Sequence, residues 1–250
     1  MHVMPQKLKD MLLHLINVLF PYNCVSCENS TNNNSYLCDS CRSQILFRRA
    51  NEGCSICGKN AETPHHTEQA DYVCGQCKKQ KPKFDKARSA AEFKYGVRSM
   101  TLKFKYNKKL WVADELTSLL HACVIANFNI EEIDMVCPVP LNHNKLRERG
   151  YNQSQILGEK LAHQLKIAFV PNIIERTRNT PTQTRMNIKE RHENVKQAFI
   201  SPKRFQKLVY GKTILLVDDV MTTGATLSEC AAALKANGAW RVFTVTVAGD

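Results

Sequence analysis

No apolar run in the 250-residue sequence is long enough to cross a bilayer, which takes about 20 residues. The stretch Met11 to Phe20 is about half that length, and Asp10, His14 and Asn17 interrupt it or its edge. No small-residue cleavage site follows it, which argues against an export signal. It reads as a short amphipathic helix, Lys7 to Leu19, in a first unit spanning 1–20. A location in the cytoplasm follows, with peripheral contact at the inner membrane as the alternative. Acids are also scarce: 23 Asp and Glu face 35 Lys and Arg, a net charge of +12. The imbalance is concentrated in 176–212, where ten Lys or Arg face only Glu190 and Glu193. Such a segment attracts polyanions, either a phosphorylated small molecule or a nucleic acid, although a solvated basic surface accounts for the total equally well. A hydrophobic content of 43% supports a core and excludes a wholly disordered chain.

Large apolar residues are few in 21–85, and what that segment has instead is cysteine. Eight of the 11 cysteines form four C-x-x-C pairs: Cys24/Cys27, Cys38/Cys41, Cys54/Cys57 and Cys74/Cys77. Each pair sets two thiolates on a tight turn, one edge of a tetrahedron, and two turns complete a closed four-thiolate zinc site. Without an export signal, metal ligation in a reducing compartment is expected rather than a disulfide framework. Two zinc ribbons in chain order are the simplest pairing; a cross-braced pairing of alternate couples remains open. Such closed sites are structural, and each contributes on the order of 10 kcal/mol to folding. His65 and His66 read as loop residues, and Cys123, Cys137 and Cys230 as core.

From about Lys86 the pattern changes, after the basic exit Lys78, Lys79, Lys81 and Lys83 and the breaker Pro82. Strands are expected at Ala90–Phe93, Asp134–Val139, Ala168–Ile174, Thr213–Val217 and Val242–Val247. Helices are expected at Val97–Lys105, Leu110–Ala126, Asn152–Leu165 and Thr226–Ala236. Residues 176–197 lack periodicity and read as a long mobile loop. Alternating strands and helices make 86–250 an α/β domain with a parallel sheet covered on both faces.

The densest motif follows the strand Ile214–Val217: Asp218, Asp219, Val220, Met221, Thr222, Thr223, Gly224, Ala225, Thr226. Ligands bind beyond the carboxyl ends of parallel strands. The hydroxyls of Thr222, Thr223 and Thr226, with the amides of Gly224 and Ala225 at the helix start, suit a terminal phosphate. Gly224 lets the backbone approach a ligand closely. Two carboxylates facing a phosphate would repel it, so Asp218 and Asp219 are assigned to vicinal sugar hydroxyls. A sugar with phosphate at one end and hydroxyls in the middle is ribose 5-phosphate.

This stretch resembles the phosphoribosyl pyrophosphate (PRPP) signature of type I phosphoribosyltransferases. The resemblance implies their fold with its flexible lid, and a second loop holding magnesium pyrophosphate. That loop would be Asn142, His143, Asn144 and Lys145 after Pro138-Val139-Pro140, assisted by Arg147. Together with Arg147-Glu148-Arg149-Gly150-Tyr151-Asn152-Gln153, Arg178-x-Thr180-x-x-Gln183, Glu190-Arg191-x-x-Asn194-Val195 and the cysteine-rich front, 21–85, these motifs are similar to the ComF (competence protein F) family. The resemblance places Arg176, Arg178, Arg185 and Arg191 in the lid, with Arg178 and Gln183 joining Asp218 and Asp219 as catalytic residues. It also implies a role in natural competence, handling single-stranded DNA with other competence proteins such as a DNA-translocating ATPase. Lys78, Lys79, Lys81 and Lys83 are the nucleic-acid candidates. Tyr95, Phe104, Tyr106 and Trp111, interleaved with Lys94, Arg98, Lys103, Lys105, Lys108 and Lys109, are compatible with such binding, although several are expected in the core. The alternative is a housekeeping, magnesium-dependent phosphoribosyltransferase acting on a small nitrogenous acceptor, with no DNA role.

Overall fold

A computed structural model of the chain describes residues 23–31, 35–50, 52–60, 72–177 and 197–250. The N-terminal helix, His65, His66, Arg178, Gln183, Arg185 and Arg191 lie outside the described residues. Seven strands are present among them: β1 (Lys86–Glu92), β2 (Met135–Pro138), β3 (Ala168–Phe169), β4 (Glu175–Arg176), β5 (Phe199–Ile200), β6 (Thr213–Met221) and β7 (Arg241–Gly249). Five of them make one sheet, in the order β1-β7-β6-β2-β3, with every pairing parallel. The principal helices are α1 (Tyr95–Tyr106), α2 (Ala113–Asn127), α3 (His143–Arg149), α4 (Gln153–Leu165) and α5 (Ala225–Ala236).

Strand alternation explains why β6 is apolar throughout its first half. Leu215 and Val217 join one core with α1, α2 and α4, through Phe104, Leu116, Leu120, Leu157 and Leu161. Ile214 and Leu216 face the other side, where Leu227, Ala231 and Leu234 of α5 cover them with Ile173, Phe199 and Val209. Cys123, Cys137 and Cys230 are buried core residues.

Several boundaries differ from the sequence expectation. β6 continues past Val217 to Met221 because β7 extends in parallel to Gly249 and keeps offering partners, so both acids lie within the strand. The strand expected at Ala168–Ile174 is only two residues: Val170 still donates to Val136 (2.9 Å), but Pro171 has no N–H with which to continue. The turn expected at Asn142–Lys145 is the start of α3. There the Asn142 side chain accepts from the Asn144 amide at 2.9 Å, a helix cap. The ends of the expected loop 176–197 are pinned together, since β4 and β5 pair antiparallel.

The cysteine-rich front packs on the same cores. Cys24, Val25, Leu37, Cys41 and Ile45 share the cluster of α1 and α2, and Ile56 and Cys57 pack against the cluster of α5. Among the described residues, no helix is long and apolar enough to cross a membrane.

Candidate functional site

The cysteines close in chain order. Cys24, Cys27, Cys38 and Cys41 bring their sulfurs within 4.8 Å of one another, and so do Cys54, Cys57, Cys74 and Cys77. In each set the first pair sits on a turn (Glu28 N to Cys24 O 2.9 Å; Gly58 N to Cys54 O 2.8 Å). The second pair begins a one-turn helix, Asp39–Ser43 or Gly75–Lys79. A tetrahedral zinc with sulfur at about 2.3 Å needs sulfur–sulfur edges of about 3.8 Å. Cys27 and Cys38 lie 3.6 Å apart, and Cys57 and Cys74 lie 3.7 Å apart. Both sets therefore fit structural zinc, leave no coordination position for a substrate, and exclude the cross-braced pairing.

The second feature is a cleft of ≈ 350 Å³ at the carboxyl ends of β2 and β6. Its floor is the turn Thr222–Thr226. Gly224 has φ +73 and starts α5; of the first-turn amides, that of Ala225 donates to Thr223 Oγ1 at 3.3 Å, and the helix start as a whole favours an anion. A Cβ at Gly224 would point to Phe84 (3.5 Å) and Met221 (3.7 Å). The position is thus glycine for its backbone angle, and only indirectly for close approach of a ligand.

Strand alternation turns the two acids to different partners. Asp218 Oδ1 accepts from Ser154 Oγ (2.6 Å) and from the Asp219 amide (2.9 Å). Burial, and then the charge of Asp219, push its pKa up to about 6. Asp219 is buried and ion-paired with Lys105 Nζ at 2.8 Å. Burial works against the Lys105 ammonium, but Asp219 more than offsets it and its pKa rises. Both acids line the cleft, Asp219 ion-paired there with a cation from α1 and Asp218 hydrogen-bonded to Ser154.

The cleft wall is also cationic. Lys105, Lys145, Arg149 and Arg176 all line the cleft. Burial lowers the Lys145 pKa, and the positive charges of Arg149, Arg176 and Lys105 lower it further. Arg149 Nη1 is buried with no hydrogen-bond partner among the described residues. Of the expected pyrophosphate residues, Asn142 and Lys145 line this wall, whereas His143, Asn144 and Arg147 are exposed outside it. The reason is helical phase: in α3, Lys145 and Arg149 are four residues apart and share a face, which Arg147 does not. Sequence reasoning missed Lys105 and Arg149 as cleft residues; the four-residue spacing was the available signal for Arg149.

Lys78, Lys79, Lys81 and Lys83 are exposed, and Lys81 and Lys83 line a cavity behind the Met221–Gly224 segment. Of the interleaved aromatics, Phe104 is core, while Tyr95, Tyr106 and Trp111 are exposed. Tyr106 borders the cleft with the Arg149 guanidinium 5.5 Å from its ring centre.

A family model described as a double zinc ribbon domain matches residues 15–78, and one described as a phosphoribosyl transferase domain matches 152–250. Competence protein F of Haemophilus influenzae is 30% identical over 88% of this chain and 93% of its own length. DNA utilization protein YhgH of Salmonella typhimurium is 31% identical over 74% of this chain and 79% of its own. Among solved structures, the glutamine PRPP amidotransferase of B. subtilis is similar at 16% identity and a TM-score of 0.39, over 59% of this chain and 30% of that one. The sheet, its covering helices and the two four-cysteine sites are those of a phosphoribosyltransferase fold carrying a double zinc ribbon.

Proposed function

This chain belongs to the competence protein F family, and from that premise we propose that it binds PRPP with magnesium and handles incoming single-stranded DNA during natural transformation. The observation that carries the PRPP assignment is the cleft itself. First-turn amides and threonine hydroxyls lie at one end, Asp218 of β6 brings a carboxylate of raised pKa, and Lys145, Arg149 and Arg176 also line it. The turn takes the 5-phosphate, Asp218 a ribose hydroxyl, and the cations the pyrophosphate, whose charge they neutralise. Magnesium would be held with the pyrophosphate, where the Asp218 carboxylate would offer a hard oxygen donor and the ion would neutralise pyrophosphate charge. Arg178 and Gln183 remain proposed to complete the site from the lid.

Support for a nucleic-acid role comes from the run Tyr106-Asn107-Lys108-Lys109-Leu110-Trp111, every residue of which is exposed. Trp111 lies against Tyr36 with the rings inclined at 36° (3.9 Å between ring centres), and the Lys109 ammonium lies 5.9 Å from the Trp111 ring centre. Open rings interleaved with cations suit the bases and phosphates of a single strand. This lip joins the lysines Lys78, Lys79, Lys81 and Lys83 as candidate contacts. A location in the cytoplasm, and a DNA-translocating ATPase among the partners, accompany this reading.

The test offers the purified chain PRPP with magnesium, single-stranded DNA, and small nitrogenous acceptors, following binding and pyrophosphate release. The proposal expects PRPP and DNA both to bind. Binding of PRPP without DNA, with pyrophosphate released onto a small acceptor, would instead establish a housekeeping phosphoribosyltransferase.

A further inference from the structure

The phosphate-binding turn is a thin partition. Residues Met221–Gly224 wall the ≈ 350 Å³ cleft on one side and a second cavity of ≈ 230 Å³ on the other. Between the two, the turn is backed by the buried Phe84 and Met221 side chains at Gly224. Its own bonds are few: Ala225 N to Thr223 Oγ1 at 3.3 Å, Ser228 N to Gly224 O at 2.8 Å, and Asp250 N to Met221 O at 3.2 Å. None of these holds the Thr223 carbonyl.

That carbonyl is held from across the second cavity. Gln76 Nε2 donates to Thr223 O at 3.2 Å. Gln76 lies between Cys74 and Cys77 on the one-turn helix Gly75–Lys79, so the second four-cysteine site fixes its place. The chain leaving that site continues along the turn: the Lys83 amide donates to Ser228 Oγ at 3.0 Å, and the buried Phe84 ring lies against Gly224.

The consequence follows from peptide geometry. The carbonyl of Thr223 and the N–H of Gly224 belong to one planar trans peptide and point in opposite directions. Holding Thr223 O toward the zinc ribbon therefore turns the Gly224 N–H toward the cleft, where a phosphate would meet it. Gly224 at φ +73 puts little steric resistance in the way of rotating this peptide, so the orientation needs an external anchor.

We infer that Gln76 is a positioning residue for the phosphate-binding turn, through which the second zinc ribbon sets how well the cleft holds a sugar phosphate. The inference rests on the PRPP reading above, and its test separates the two. Gln76→Met keeps the length and packing of the side chain and removes only its donor. In the full chain, this variant should keep the wild-type zinc content and melting temperature yet bind PRPP with magnesium roughly 3- to 10-fold more weakly, the loss expected for one hydrogen bond. Without any ligand, the ¹⁵N order parameter of Gly224 should fall from the rigid range of about 0.85 toward 0.6. If wild type does not bind PRPP, the functional reading fails and the order parameter alone decides the anchor. An unchanged Gly224 order parameter in Gln76→Met overturns the inference, as does wild-type PRPP affinity in a variant whose turn has loosened.

Discussion

Replacing Ser154 with alanine should raise the pH at which the cleft begins to hold PRPP. Asp218 is pushed up to about 6, chiefly by burial and then by the charge of Asp219, with the Ser154 hydroxyl restraining the rise. Its carboxylate is thus present above about pH 6 and lost as pH falls through that value, and binding that uses the carboxylate follows the same course. A hydrogen bond to a charged acceptor contributes about 1.5–3 kcal/mol, and each pKa unit corresponds to about 1.36 kcal/mol. Asp218 is partly open to the cleft and keeps its bond from the Asp219 amide, so the low end applies: the midpoint should move up by about one unit. The phosphate of the ligand itself titrates near 6, but identically for both proteins, so the difference between them reports Asp218. Calorimetric titrations of wild type and Ser154→Ala from well below to well above this range read the shift. Coincident pH profiles would refute the assignment of Asp218 as the acid that meets the ligand.

Further outcomes are expected from the same geometry. Lys105→Met strands a buried Asp219 and should cost about 3 kcal/mol in denaturant unfolding, most of it regained in Lys105→Met with Asp219→Asn; a wild-type midpoint for the single variant would contradict this. The denatured chain should release two zinc ions, one per four-cysteine set. Because Cys24 and Cys41 share a core with Phe104 and Leu116, Cys41→Ser should lower one cooperative melt of the whole chain, and a separate early transition would refute the shared core. Neutralising Lys108 and Lys109 should reduce the salt slope of single-stranded DNA binding by roughly 0.7 per lost phosphate contact. Trp111→Ala should weaken binding with the slope retained, and the same comparison applied to Lys78, Lys79, Lys81 and Lys83 tells which basic group touches DNA. Finally, Gly224→Ala forces a side chain into the left-handed region and should destabilise by about 1–2 kcal/mol, visible as a lower melting temperature.

The apolar runs and their alternation made the parallel sheet legible, because a strand buried on both faces has no polar positions to disguise it. The four C-x-x-C turns and the Asp218–Thr226 stretch were legible because their chemistry is contiguous. What escaped depended on phase or on distance along the chain. Arg149 instead of Arg147 reaches the cleft because α3 begins at the Asn142 cap, which a turn reading of the same residues hides. Lys105 meets Asp219 across 114 positions, and Gln76 meets Thr223 across 147. No local spacing announces either contact, and the lysine lay in a run that read as compatible with nucleic-acid binding. The length of β6 was likewise set by its partner β7 rather than by its own residues.

Whether the Thr222–Thr226 turn holds the phosphate of PRPP can be tested directly. Thr226 is in the first turn of α5, where an added aspartate stabilises the helix through its dipole by about 0.3–1 kcal/mol while repelling a phosphate at the same amides. Titrating PRPP with magnesium into wild type and Thr226→Asp by calorimetry should show one bound PRPP per wild-type chain and none in the variant, whose melting temperature is unchanged or higher. Binding to Thr226→Asp with wild-type affinity would contradict the account.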